Sequence, residues 1–302
     1  MSPRTVRGLI DYGIAKFEAA GVAYGHGTAN AQDEAAWLIL HALGLPPHEL
    51  QPHLDRPLAA KQYAAAKALL DRRARTRKPA AYLIHEAWLG PHRFYVDERV
   101  IVPRSFIAEL LLKNREKRGQ ITFPGSGKSN LTPFFPKSIL DLCTGSGCLA
   151  ILAALRFAQA KVDAADLSAD ALAVARRNVD DYGLGNRVRL VESDLFSALG
   201  NRKYDLIVSN PPYVKASSMR TLPEEFRKEP RMALASGTDG LEHTRAILAG
   251  ARAHLEPRGM LVVEIGHNRR ALEKAFPGVA FEWPKVGAGR GFVFAISREG
   301  LP

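Results

Sequence analysis

The chain has 302 residues, 46% apolar and 24% charged, the composition of a soluble globular protein long enough for one large domain or two unequal ones. Its formal charge of +11, from 42 basic against 31 acidic residues, points to polyanionic surroundings such as RNA or a ribonucleoprotein. No apolar run approaches the roughly 18 residues of a membrane span, and the N-terminus, with Arg4 and Arg7, lacks an apolar export core, so a cytoplasmic location is expected.

Residues 1 to 85 read as helical. Val6, Ile10, Gly13, Phe17 and Ala20 recur at helical spacing before a stop at Gly21. A second helix starts at an Asn30 cap, carries Trp37, Leu38 and Leu40, and ends at Gly44 ahead of Pro46 and Pro47. A third spans about Ala59 to Arg75. The stretch Lys61 to Lys78 holds seven basic residues against a single acid, Asp71; it reads as a solvated helix face with nucleic-acid or ribosome contact as the functional alternative.

From Glu86 to Val102 the pattern changes to a hairpin, with Trp88, Leu89, Phe94, Val96, Val100 and Ile101 around Gly90-Pro91 and Asp97-Glu98. Pro103, Arg104 and Ser105 open a helix from Phe106 to about Lys117. Residues 118 to 137, rich in Gly, Ser, Pro and Lys, read as a loop. Gly125 to Ser129 within it imitates a phosphate-binding loop, but Thr122 stands where the spacing needs glycine, so a nucleotide triphosphate is excluded.

After residue 138 strands and helices alternate, which specifies an α/β fold with a doubly wound parallel sheet. Strands are expected at Ser138 to Leu142, Lys161 to Asp166, Val188 to Glu192, Tyr204 to Ser209, Met260 to Ile265, Val279 to Trp283 and Gly291 to Ile296. Helices fill the gaps, among them Ala169 to Tyr182 and Glu242 to Leu255. The two cysteines, Cys143 and Cys148, flank a glycine loop and read as small buried thiols. The nine histidines show no paired ligand spacing, so no metal site is expected.

The first strand of this part runs into Asp141, Leu142, Cys143, Thr144, Gly145, Ser146 and Gly147, where glycines permit a tight turn and a ligand's approach to a helix N-terminus. Nineteen residues beyond Gly147, Asp166 ends the next strand, where its carboxylate can take both ribose hydroxyls. Asp194 follows the third strand, placed for the exocyclic amine of adenine, with Leu195 or Phe196 against the ring. The loop lacks a pyrophosphate cradle, and S-adenosyl-L-methionine has no phosphate to cradle. The fourth strand closes on Asn210-Pro211-Pro212-Tyr213, where successive prolines fix the backbone and leave acceptors without local donors. The Asn210 side-chain oxygen and the Pro211 carbonyl can each accept one hydrogen of a planar NH2 group while the Tyr213 ring covers its face.

These residues resemble the class I methyltransferases that modify planar nitrogens, and more closely the family that methylates glutamine side-chain amides in proteins of the translation apparatus. Likeness extends to Arg99 through Ser105, Glu229-Pro230, Ala235 through Leu241 and Glu264-Ile265-Gly266. Val102 through Phe106, Leu234 through Gly237 and Gly291 through Phe294 look like the branch acting on the third protein of the large ribosomal subunit, rather than the release-factor branch. Where that branch often has tryptophan beside adenine, this chain has Leu195.

The resemblance implies a Rossmann-like domain with a seven-stranded sheet whose last strand is antiparallel. It divides the chain into a helical substrate-recognition domain, 1–85, a hairpin linker, 86–103, and a methyltransferase domain, 104–302. Asp141, Cys143 through Gly147, Asp166, Asp194, Leu195 and Asn210 are expected to hold the cofactor. Asn210 through Tyr213, with Arg104, are expected to hold the substrate amide. The implied partner is a large-subunit ribosomal protein or an assembling particle, with transient ribosomal RNA contact. Three alternatives share the features: the same reaction on peptide release factors, a nucleic-acid base methyltransferase acting on an exocyclic amine, and a non-catalytic ribosome-assembly factor retaining the fold.

Overall fold

The computed structural model describes residues 4–113 and 135–302. The Gly125 to Ser129 stretch lies outside the described residues. The helix expected to reach about Lys117 ends earlier, at Leu112, where Lys113 is already extended. Thr5 starts α1, Val6–Ala19, its hydroxyl accepting from the Gly8 amide at 3.2 Å. Asn30 caps α2, Ala31–Ala42, through the Asp33 amide at 2.9 Å. Helices α3, Ala60–Thr76, and α4, Ala80–Ile84, each end on a left-handed residue, Arg77 and His85. Gly13 lets three helices meet closely, because a Cβ there would sit 2.9 Å from the Ala35 Cβ and 3.1 Å from Leu70.

The basic stretch on α3 is not one solvated face. Arg73 is fully buried, with Nε 2.6 Å from Glu34 and Nη1 3.2 Å from Glu225, while Arg72 and Arg75 are exposed. A charge this deep needs both carboxylates, since desolvation outweighs anything an unpaired guanidinium could gain there.

Strands β1, Ala87–Leu89, and β2, His92–Phe94, form a hairpin shorter than the expected Glu86 to Val102, turning at Gly90 with φ of 56°; residues 95–102 carry no strand. Asn178 docks this hairpin. It accepts from the Tyr95 amide at 2.7 Å and donates to the Tyr95 carbonyl at 3.0 Å. Helix α5, Phe106–Leu112, follows the Ser105 cap.

Then come β3, Ser138–Leu142, α6, Cys148–Arg156, β4, Lys161–Asp166, α7, Ala169–Asp181, β5, Val188–Glu192, and β6, Tyr204–Ser209. The chain ends with α8, Glu242–His254, β7, Leu255–Glu264, α9, Arg269–Ala275, and β8, Val293–Ser297. These strands lie in the order β5-β4-β3-β6-β7-β8, parallel except for the antiparallel β7/β8 pair. The order reverses between β3 and β6, which opens a crevice at their C-terminal ends.

Among the described residues this sheet has six strands, not seven. Val279 to Trp283 contributes one bridge, Glu282 to Ala295, in place of the expected strand. Pro284 supplies no backbone donor to extend the ladder. Ring packing holds the segment instead, with Phe281 and Trp283 edge-on to Phe294 at 4.9 and 6.2 Å.

The N-terminal helices do not form a separate core. Leu9, Phe17, Trp37 and Leu70 share a buried cluster with Val96, Val100 and Val102 of the connecting segment and with Ala171 and Val174 of α7. No described helix is long and apolar enough to cross a membrane.

Candidate active site

At the end of β3 the backbone turns through left-handed conformations at Cys143, Gly145 and Gly147, with φ of 58°, 56° and 79°. Asp141, just before the turn, is fully buried. Its Oδ2 accepts from the Thr144 hydroxyl at 2.6 Å and the Ala150 amide at 3.0 Å, and burial pushes its carboxyl up to about 7. Asp166 accepts from the Gly145 amide at 2.8 Å through one oxygen and from the Ser168 amide at 3.0 Å through the other; burial raises its pKa.

Cys143, Gly145, Asp166, Asp194, Leu195, Asn210 and Pro212 line one cavity. Asp141, Thr144, Ser146 and Gly147 are absent from its wall and hold the turn from behind. The Ser146 carbonyl accepts from Asn178 at 2.8 Å, and a Cβ on Gly147 would lie 3.1 Å from the Ala175 Cβ. At Gly145 a Cβ would meet nothing within 4 Å, so a ligand has free access to that backbone.

Asp194 is exposed, followed by Leu195 with φ of 47°. The Leu195 carbonyl accepts from the Ser193 hydroxyl at 2.7 Å. Phe196 turns away and stacks on His254 with centroids 4.7 Å apart, leaving Leu195 as the apolar side chain of this loop on the cavity. A non-glycine residue held left-handed stores strain, and Cys143 and Leu195 both do so at this cavity.

The clamp begins where Ser209 donates to the Leu142 carbonyl at 2.8 Å, tying the ends of β6 and β3 together. Asn210 donates through Nδ2 to the Arg104 carbonyl at 3.4 Å, while its buried Oδ1 has no partner. Among the described residues no donor reaches the Pro211 carbonyl. Pro211 and Pro212 are buried. Tyr213 lines an adjoining groove with Arg104, Phe106 and Glu264 rather than the first cavity. Its carbonyl accepts from Asn268 at 2.8 Å, and its ring lies where a Cβ on Gly266 would be, 2.8 Å away. Burial, then the charge of Glu264, raises the Tyr213 phenol to about 12.

Residues 9–84 match a family model described as the PrmC N-terminal domain, and residues 128–241 match the methyltransferase small domain. A ribosomal protein uL3 glutamine methyltransferase of Neisseria meningitidis is 51% identical, covering 98% of this chain and 94% of that protein. Its counterparts from Burkholderia pseudomallei and Bordetella pertussis are 50% and 49% identical, each covering 99% of this chain and 96% of the relative. The chain belongs to the ribosomal protein uL3 glutamine methyltransferase family.

In this family member the residues present fit S-adenosyl-L-methionine. The glycine turn is open at Gly145, carboxylates stand at Asp166 and Asp194 for hydroxyl and amine donors, and an unpartnered acceptor sits at Asn210. Among the described residues no cluster of His, Cys, Asp and Glu could hold a metal, and both cysteines are free.

Two acids beside the site, Glu229 and Glu264, have no role legible in the sequence alone. Glu229, with a fully buried side chain, takes the Val102 amide at 2.9 Å and the Arg104 guanidinium at 2.6 and 2.5 Å, with His26 3.5 Å away. Burial alone would raise its pKa, but the Arg104 charge overcomes this and holds it down at about 2. Arg104 is therefore spent on Glu229, and it touches the clamp through its carbonyl. Glu264 accepts from the Ser105 hydroxyl at 2.7 Å and the Phe106 amide at 2.9 Å, and burial pushes it up to about 7. An acid closing the apolar run Leu261 to Val263 was the visible signal for Glu264. Asn178, a lone amide on the buried face of α7, was the signal for the hairpin's anchor.

Proposed function

We propose that the chain methylates the side-chain amide nitrogen of a glutamine in ribosomal protein uL3, with Asn210 and the Pro211 carbonyl as the acceptors that hold the reacting NH2. The observation that carries this reading is the Asn210 amide. Its Nδ2 is tethered while its Oδ1 is buried and unpartnered. A buried acceptor without a donor is costly, and it is retained where a ligand supplies the missing hydrogen.

An amide nitrogen is a poor nucleophile because its lone pair is delocalised into the carbonyl. When bound, S-adenosyl-L-methionine supplies an electrophilic methyl group. Asn210 and Pro211 take one amide hydrogen each, which favours a pyramidal nitrogen and directs its lone pair along the line of attack. Pro212 fixes the backbone of the pair, Tyr213 is the platform, and Arg104 holds the clamp in place. No base is needed before attack, since the proton leaves the methylated nitrogen afterwards. Asp166 takes the ribose hydroxyls, and Asp194 the adenine amine with Leu195 on the ring. Asp141, Thr144, Ser146 and Gly147 hold the turn on which Cys143 and Gly145 meet the cofactor.

Residues 1–85 and 86–103 serve substrate recognition, beside the catalytic part from 104 onward. The +11 charge supports meeting uL3 in company with ribosomal RNA, on an assembling particle in the cytoplasm. The test is labelled-methyl transfer to uL3 and to release factor in parallel, each also carrying its target glutamine changed to alanine. Label on uL3 that is lost with the glutamine supports the reading. Preferential label on release factor, or on nucleic acid, overturns it.

A further inference from the structure

Ser236 and His243 form a pair that the mechanism above leaves without a task. Ser236 is fully buried, and both hydrogen bonds of its Oγ go to His243, accepting from the backbone N–H at 3.2 Å and lying 2.9 Å from the ring Nδ1. If Nδ1 donated as well, the serine proton would have no acceptor in a dry site. The hydroxyl therefore donates to Nδ1, and the ring proton resides on Nε2.

His243 stands in the first turn of α8 and lines the same cavity as Asp194, Leu195 and Asn210. Two helical turns on and on the same face, Gly250 packs against Phe196, where a Cβ would lie 2.5 Å from the ring. This face of α8 therefore rests on the loop that carries Asp194 and Leu195. Asp166, Asp194 and Asn210 Oδ1 on this wall are acceptors. Arg99, Ser168 and Ser193 also line it, but the Arg99 guanidinium is engaged by Asp97 and the Ser193 hydroxyl by the Leu195 carbonyl, so the Nε2 proton adds a side-chain donor beside Asp194 and Leu195.

We propose that His243 reads the adenine of S-adenosyl-L-methionine, donating from Nε2 to a ring nitrogen beside the amino group that Asp194 accepts. This rests on adenine lying at Asp194 and Leu195, as proposed above. An adenine edge presents an amino donor next to a ring-nitrogen acceptor, the complement of a carboxylate beside an imidazole N–H. The glutamine carbonyl is a worse partner for this donor, because a hydrogen bond there would draw the nitrogen lone pair further into the amide.

The test is calorimetry of S-adenosylhomocysteine and of analogues in which each adenine ring nitrogen in turn is replaced by carbon. Wild type, His243→Phe, His243→Gln and Ser236→Ala are compared. His243→Phe should weaken S-adenosylhomocysteine binding about tenfold, the scale of one hydrogen bond. It should cause no further loss for the one analogue lacking the partner nitrogen. His243→Gln, which keeps a donor near Nε2, should bind more tightly than the phenylalanine variant, and Ser236→Ala should fall between wild type and His243→Phe. Binding by His243→Phe within twofold of wild type, or an equal loss for every analogue, overturns the proposal. If the phenylalanine variant does not fold, wild-type affinity undiminished for all analogues overturns it equally. A wild-type protein that binds no S-adenosylhomocysteine would overturn the cofactor reading itself.

Discussion

At the scale of single residues, the site is a set of atoms whose partners are fixed on one side and missing on the other. Asn210 is the plainest case, and Asn210→Ala should lower turnover on the order of 100-fold or more, as for loss of one transition-state hydrogen bond. Cofactor affinity, measured by calorimetry, should change less because the glycine turn and Asp166 remain. The buried acids behind the site set opposite pH limits. Glu264 keeps its proton in the folded protein up to about 7, whereas the unfolded chain releases it near 4.5, so stability falls as pH rises through that window. Glu229 is held down at about 2 against 4.5, so its contribution is present above 4.5 and is lost as pH falls toward 2. Thermal unfolding across pH should therefore show Glu264→Gln flattening the decline between about 4.5 and 7. Asp141, raised from 3.8 to about 7, should leave part of that slope in place.

At the scale of elements, the segment between β6 and α8 is bolted at two buried carboxylates. Glu225 receives Arg73 and Arg77 from the helical lobe, and Glu229 receives Arg104 from the approach to α5. Arg73→Ala leaves the buried Glu34 without its cation and Glu225 with Arg77 alone, and should destabilise the protein by about 3–5 kcal/mol, read from urea unfolding. Reversing the charge of exposed Arg72 and Arg75 should leave stability within about 0.5 kcal/mol. If α3 also docks the substrate particle, that reversal should weaken docking most at low salt, read by binding titrations at two ionic strengths.

At the scale of the whole molecule, the helical lobe and the methyltransferase part share one buried cluster, so neither is complete alone. A chain beginning at residue 86 would expose Val96, Val100 and Val102, and would leave Glu225 and Glu229 short of partners. Such a truncation should lose its cooperative thermal transition and its S-adenosylhomocysteine binding together, as followed by circular dichroism and calorimetry. A truncated chain that melts cooperatively and binds would show the lobe to be an appendage.

What the sequence determined by itself was whatever a few neighbouring residues can dictate. The β6 run Tyr204–Ser209 closed by Asn210 through Tyr213, the Asn30 cap, and the turn through Gly145 and Gly147 each follow from local backbone rules, and so were legible in advance. Tertiary structure alone decided which charges meet. Arg73 finds Glu34 and Glu225 across 39 and 152 residues, and Arg104 finds Glu229 across 125, separations at which sequence carries no periodic signal. It also turned Asp141 inward to hold the glycine loop and reduced the expected Val279 to Trp283 strand to a single bridge. The physical reason is common to all of these. Backbone conformation is governed by contacts within a few residues, whereas burial and charge pairing are settled only when distant segments compete for the same dry space.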